Sequence, residues 1–384
     1  MKIGIITFWQ TKDNYGQVLQ AFALQQKLKQ MGHEPYLIKY AHSEAVISVW
    51  QDLVRHYIKQ LLRFRLKKPR KNVILFKSSD KDKERHFEDF KKEELAATAK
   101  TYFSLRELQK EPPPADVYIA GSDQVWAKPL HTRENEVFYL SFGSKAIKRI
   151  SYAASFSKPC CSETEKKALK RNLKRFDVIS VREKSGQTIC ESVGFNAKLV
   201  LDPTLLHDSF FYINHFKLDC HKADKIFIYT LNIDSQEAIG WNSLKKYAET
   251  NKLAIHVTPS SGYIKDMELF DNNEVSYLYS TVSQWIAEIA SSQLVVTPSF
   301  HGVVFSILFH VPFVYVPLSG DRAKGNNRVL DLLNMLNIEN CIYSGDMEYE
   351  TIINSFNFNW KNIDMILENE RKHSINFLNT NITR

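Results

Sequence analysis

His301 lies in Leu294-Val295-Val296-Thr297-Pro298-Ser299-Phe300-His301-Gly302, after an apolar run that reads as a buried strand and in the first turn of a helix. Free N–H groups and the helix dipole favour an anion there. An imidazole titrates near neutral pH, so His301 is a candidate to move a proton beside that anion. Ser299, Phe300 and Gly302 complete the anion-side loop, and Gly302 is expected to let a ligand approach the backbone. Arg182 follows the strand-like Val178-Ile179-Ser180-Val181. Its planar fork suits a carboxylate or phosphate, and the alternative is an internal pair with Glu183 or Asp202. Ser122, Asp123, Gln124 and Trp126 follow another short strand and offer hydroxyl partners and a flat ring for a sugar; alternatively Trp126 is core and Ser122 a cap. Asp13, Asn14, Tyr15 and Gly16 stand between the first strand and first helix. Asp13 is suited to accept a proton there, or Asp13 or Asn14 simply caps the helix. His310, on the apolar end of the His301 helix, reads as structural.

These loops must be positioned by strands and helices in alternation. Lys2 to Trp9 reads as a strand, Gln17 to Met31 as a helix stopped by Gly32, and Tyr36 to Ile38 as a second strand. After Pro112-Pro113-Pro114 come strands at Asp116 to Ala120, Arg149 to Ser155, Val178 to Val181 and Lys198 to Leu201, with Ser162 and Glu165 spaced as a capping box. A second series follows: strands at Lys225 to Leu231, Ala254 to Thr258, Leu294 to Thr297 and Phe313 to Val316, and helices at Gln236 to Glu249, Phe300 to His310 and Asn327 to Leu336. Thr281 and Gln284 form a second capping-box pattern. The pattern predicts an α/β fold of two doubly wound, Rossmann-like domains facing a cleft, residues 1–210 and 211–384, with the irregular boundary between Leu205 and Asp224. The last helix, about Lys361 to Leu378, is placed to cross back to the N-terminal domain.

The chain has 384 residues with 44% apolar and 24% charged side chains, which suits two globular domains and argues against disorder. The net charge of +8 favours an anionic partner. Residues 42–100 form a helical excursion in which nine Lys/Arg and no acid fall between Leu53 and Ser79. The basic stretch 55–71 is either a solvated face or a peripheral contact with an anionic membrane. No apolar run approaches the roughly 20 residues of a membrane span. The five cysteines are odd in number and lack CxxC spacing, which favours a reducing, cytoplasmic setting. No motif indicates a metal, a resident cofactor or a nucleic-acid partner.

At these loops the chain resembles the polysaccharide pyruvyl transferase family. The matching stretches are Ile3 to Gln26 (IGIITFWQTKDNYGQVLQAFALQQ), Asp116 to Trp126 (DVYIAGSDQVW), Ile179 to Gly186 (ISVREKSG), Leu199 to Thr204 (LVLDPT) and Leu294 to Phe305 (LVVTPSFHGVVF). Asn327 to Leu333 (NRVLDLL) also fits, and the order is collinear over about residues 1–340. The resemblance implies a GT-B-like, two-domain enzyme that moves the enolpyruvyl group of phosphoenolpyruvate onto two hydroxyls of a cell-surface saccharide as a cyclic ketal. His301, Arg182 and Asp13 would then be catalytic. Ser299, Phe300, Gly302 and Arg328 would bind the donor, and Asn14, Tyr15, Gly16, Ser122, Asp123, Gln124 and Trp126 a lipid-linked or nucleotide-linked acceptor. Members of the family commonly carry Arg immediately before the His-Gly pair, where this chain has Phe300. The missing charge must come from Arg182, Arg328 or Arg322, or another donor is used. The alternatives are a GT-B glycosyltransferase with a nucleotide-sugar donor and a non-catalytic saccharide- or membrane-binding protein. The pyruvyl reading expects the imidazole to face a crevice.

Overall fold

Two parallel sheets are built from runs of apolar residues buried on both faces, as parallel strands require. The structure, a computed structural model, describes residues 1–9, 14–41, 83–127, 133–259, 268–345 and 347–382. The first half runs β1 (Lys2–Ile6), α1 (Tyr15–Gln30), β2 (Glu34–Leu37), α2 (Phe87–Glu94), α3 (Leu105–Lys110), β3 (Val117–Ala120), β4 (Lys148–Ser151), α4 (Glu163–Leu173), β5 (Ser180–Val181), α5 (Lys184–Glu191) and β6 (Lys198–Leu199). Its sheet has the order β2-β1-β3-β4, all parallel, and single bridges tie it to the parallel pair β5-β6.

A 3₁₀ turn, Pro203–Leu206, and α6 (Ser209–Phe216) lead into the second half. That half contains β7 (Lys225–Tyr229), α7 (Trp241–Thr250), β8 (Ala254–Thr258), β9 (Ser276–Tyr277), α8 (Val282–Ser291), β10 (Leu294–Thr297), α9 (Phe300–Leu308), β11 (Phe313–Tyr315), α10 (Asn327–Leu336), α11 (Tyr349–Asn354) and α12 (Trp360–Ile382). Its sheet is parallel throughout, in the order β11-β10-β7-β8-β9. The expected boundary region is irregular only in part: α6 occupies Ser209–Phe216, capped by Asp208, which accepts from the Phe211 N–H at 2.9 Å, and no helix or strand covers 217–224. The helix expected over 236–249 is divided into a 3₁₀ turn, Glu237–Ile239, and α7, with Gly240 between them. Both capping boxes form, at Ser162/Glu165 and Thr281/Gln284.

The halves share one core. Tyr15 at the start of α1 stacks on Trp285 of α8, with ring centroids 4.9 Å apart and planes 8° from parallel, and meets Tyr229 edge-on at 5.7 Å. Offset aromatic pairs of this kind contribute about 0.5–1.5 kcal/mol beyond the burial of their area. The last helix returns to the first half: Ser374 Oγ accepts from the Leu201 N–H at 2.9 Å, and Arg371 Nε donates to the Leu205 carbonyl at 2.9 Å. Among the described residues no helix is long and apolar enough to cross a membrane. Asp13 and the basic stretch 55–71 lie outside the described residues.

Candidate active site

Parallel sheets gather the carboxyl ends of their strands, and with them the loops that follow, along one edge. Here the loops after β3, β5, β6 and β10 meet the N-terminus of α1. Asp202, in the turn after β6, is the meeting point and is fully buried. Its Oδ2 accepts from Arg182 Nη1 at 2.5 Å and Ser122 Oγ at 3.3 Å, and its Oδ1 from the Thr204 N–H at 3.0 Å and Thr204 Oγ1 at 2.7 Å. His301 Nε2 approaches Oδ1 at 3.6 Å, longer than a hydrogen bond but close enough for a strong charge interaction. Burial alone would raise the Asp202 carboxyl. The His301 imidazole and the Arg182 guanidinium outweigh it and hold the group well below the usual carboxylate range.

Arg182 is 2% exposed at the side chain and so is not simply open to a ligand. The internal pair with Asp202 is the one that forms; Asp123 Oδ1 stands 3.7 Å from Nη2. Its Nε and Nη2 nevertheless have no hydrogen-bond partner, and neither does His301 Nε2. Burial works against the Arg182 charge, but the carboxylates of Asp202, Asp123 and Glu183 reverse that and raise its pKa.

Phe300 stands between two cations. The Arg182 guanidinium carbon lies 4.7 Å from the ring centroid and that of Arg328 6.0 Å. An aromatic face attracts guanidinium groups and partly offsets the cost of burying them. Arg328, at the start of α10, donates from Nε to the Gly325 carbonyl at 3.2 Å. The Gln124 amide oxygen, in the orientation that satisfies its neighbours, accepts from Arg328 Nη1 at 2.9 Å and Nη2 at 2.7 Å. Burial and the neighbouring Arg182 push the Arg328 pKa down to about 10. Arg322 is engaged elsewhere, donating to the Asn232 carbonyl at 2.9 Å.

Several expectations are corrected by packing. Trp126 is 1% exposed, stacks on Tyr139 at 5.2 Å and donates from Nε1 to the Phe138 carbonyl, so its ring has no face for a sugar. Tyr15 is fully buried in the core between the halves, and its hydroxyl donates to the Ser280 carbonyl at 2.6 Å. Ser122 is fully buried, and its hydroxyl bonds the Ala153 carbonyl and Asp202. Gly302 faces the protein: a Cβ there would lie 2.7 Å from Thr297 Cγ2, and its N–H is capped by Ser299 Oγ at 3.3 Å. Gly16 packs on the imidazole, where a Cβ would lie 2.0 Å from His301 Nδ1. Asn14 caps α1 through Gln17. The His301 side chain is 8% exposed, so the imidazole expected in an open crevice is instead enclosed. Asp123, Gln124, Arg182, Phe300, His301 and Arg328 do come together.

From the sequence, Asp202 is expected as an internal partner of Arg182 and as part of the stretch Leu199 to Thr204, not as a partner of His301. The usable signal was its place: Asp202-Pro203-Thr204 follows a strand of the same series that supplies the other site loops. Among the described residues no group of three or more His, Cys, Asp or Glu could hold a metal ion.

Comparison with solved structures places the chain among GT-B folds. UDP-GlcNAc 2-epimerase from Neisseria meningitidis, bound to UDP-GlcNAc, matches with a TM-score of 0.51 and 10% identity over 99% of this chain and 100% of that one. UDP-N-acetylglucosamine 2-epimerase from Rickettsia bellii gives 0.48 and 10% identity over 99% and 98%. No curated protein sequence matches significantly. The family model described as polysaccharide pyruvyl transferase matches residues 14–320.

Proposed function

The chain belongs to the polysaccharide pyruvyl transferase family and is a transferase, and we propose that it moves the enolpyruvyl group of phosphoenolpyruvate onto two hydroxyls of a saccharide destined for a cell-surface polymer, forming a cyclic ketal. One observation carries the choice of donor. Around Phe300, two guanidinium groups and an imidazole are gathered, with Arg182 Nε and Nη2 buried and without hydrogen-bond partners. Buried donors without partners are costly, so a site that keeps them is suited to a ligand rich in acceptor oxygens. Phosphoenolpyruvate carries a carboxylate and a phosphate on adjacent positions. Arg328 and the unpartnered edge of Arg182 supply the cationic charge that Phe300 lacks.

The chemistry follows from the same groups. A proton from His301 goes to C3 of the donor, and C2 becomes electrophilic. One acceptor hydroxyl adds to C2, and its proton replaces the one given up. The second hydroxyl displaces phosphate, which leaves with the second proton. Asp123 and Gln124, beside the guanidinium groups, hold them in register for the donor. The acceptor is a lipid-linked or nucleotide-linked saccharide, approaching from the side of Asn14 and Gly16. The unpartnered atoms are enclosed, so donor entry requires neighbouring side chains to shift.

The test is phosphate release from phosphoenolpyruvate with a panel of saccharide acceptors, product ketals being identified by mass and NMR. His301→Ala and Arg328→Ala are each expected to lower turnover about 100-fold or more while the protein stays folded. Stabilisation by UDP, with none by phosphoenolpyruvate and no phosphate release, would instead favour a nucleotide-sugar donor.

A further inference from the structure

The two nitrogens of His301 face different segments of the first half. Nε2 lies 3.6 Å from Asp202 Oδ1, in the linker between the sheets. Nδ1 lies against the first turn of α1, where the Cβ position of Gly16 is 2.0 Å away. We infer that Asp202 is the positioning residue of this site: it takes the Nε2 side of His301, so that Nδ1, on the acceptor side, is the nitrogen through which the proton passes. The inference rests on the pyruvyl-transfer reading for what the proton does, and on geometry alone for which nitrogen carries it.

A neutral imidazole has one N–H, and the other nitrogen's partner decides where it sits. A carboxylate beside Nε2 draws that N–H toward itself and leaves Nδ1 bare. The imidazolium then carries a second proton on Nδ1, which is the one given to C3 of the donor and regained from the first acceptor hydroxyl. Asp202 is held for this task from the opposite side, by Arg182 Nη1, Ser122 Oγ and both donors of Thr204. The carboxylate therefore stays charged and cannot swing away, while its Oδ1 still faces the ring. Only glycine fits at position 16, because the ring itself fills the place a side chain would take. The arrangement makes the acceptor-side helix and the donor-side histidine parts of one device. The charged groups around the ring are Asp202 from the linker, with Arg182 behind it; Arg182 and Arg328 also flank Phe300, and Asp123 lies beside Arg182.

Long-range ¹H–¹⁵N correlation spectra of the full-length protein test this without any substrate. The neutral His301 ring is expected as the Nε2–H tautomer, and a Nδ1–H tautomer overturns the inference. In Asp202→Asn the His301 titration midpoint is expected to fall by about one pH unit or more, as loss of a carboxylate at this range implies. Thr204→Val, which removes a hydroxyl from Asp202 but no charge, is expected to leave the midpoint within a few tenths of a unit. An unchanged midpoint in folded Asp202→Asn overturns the inference, and if that variant does not fold the wild-type tautomer still decides. Turnover assays separate the two readings. A protein with the expected tautomer and midpoint shift that releases no phosphate from phosphoenolpyruvate refutes the donor and leaves the positioning role intact. In an active protein, Asp202→Asn is expected to lower kcat with little change in KM for phosphoenolpyruvate and to move the pH–rate profile in parallel with the midpoint.

Discussion

A phenylalanine next to the site histidine, where the family resemblance leads one to expect arginine, is compatible with a cationic site because the charge is supplied from two other loops. Arg182 and Arg328 approach the Phe300 ring from the loop after β5 and the start of α10. Arginine at this position would put a third guanidinium among them without adding a carboxylate. Like charges buried within a few ångströms cost several kcal/mol unless paired. Phe300→Arg alone is expected to lower both the melting temperature and kcat/KM for phosphoenolpyruvate. Combined with Arg328→Met, it is expected to recover much of both, so that the double-mutant cycle shows favourable coupling of about 1 kcal/mol or more. Additive effects in thermal melts and kinetics would mean that Phe300 does not separate the two cations.

Elements, rather than single residues, decide which side chains of a promising loop reach a ligand. The segment Gly121 to Trp126 contains four polar or aromatic candidates, and packing divides them. Asp123 and Gln124 join the guanidinium groups, whereas Ser122 and Trp126 turn to the interior. Trp126 is gripped by Tyr139, Phe156 and Phe176. Trp126→Ala is therefore expected to cost about 3–5 kcal/mol of stability, as removal of a fully buried aromatic does. Trp126→Phe should recover much of that loss. In both, residual folded protein should bind phosphoenolpyruvate with the wild-type Kd. A selective loss of saccharide affinity in Trp126→Phe with unchanged stability would return the ring to the acceptor site.

The whole molecule is tied together around the linker, and that makes it sensitive to acid. His207 follows the 3₁₀ turn, stacks on Phe211 at 3.8 Å and bonds the Ala23 carbonyl of α1 through Nε2 at 2.9 Å. Burial pushes its pKa down to about 3, against about 6.5 for an unfolded histidine. The folded state thus resists protonation. The stability this provides is complete above pH 6.5 and is lost as pH falls toward 3, at no more than about 1.4 kcal/mol per pH unit. Urea midpoints measured from pH 7 to pH 4 should fall more steeply for wild type than for His207→Gln, which keeps a donor for Ala23 and cannot titrate. Equal slopes would mean that His207 gains its proton as readily folded as unfolded.

Apolar periodicity, capping-box spacing and the polar loops after strands were enough to establish the α/β class and most strands and helices. Each is a local property, written within a few turns of chain. They also singled out Arg182 and His301, because strand-end loops in parallel sheets lie along one edge whatever the rest of the chain does. The choice of Asp202 as the group that meets both, the burial of Tyr15 and Trp126, and the enclosure of the imidazole were decided by tertiary structure alone. Those outcomes depend on which surfaces the two halves press together, a contact between residues as far apart as Gly16 and His301. No local pattern records a contact of that range. An aromatic ring or a carboxylate has the same sequence signature whether it faces water, a ligand or another element's core.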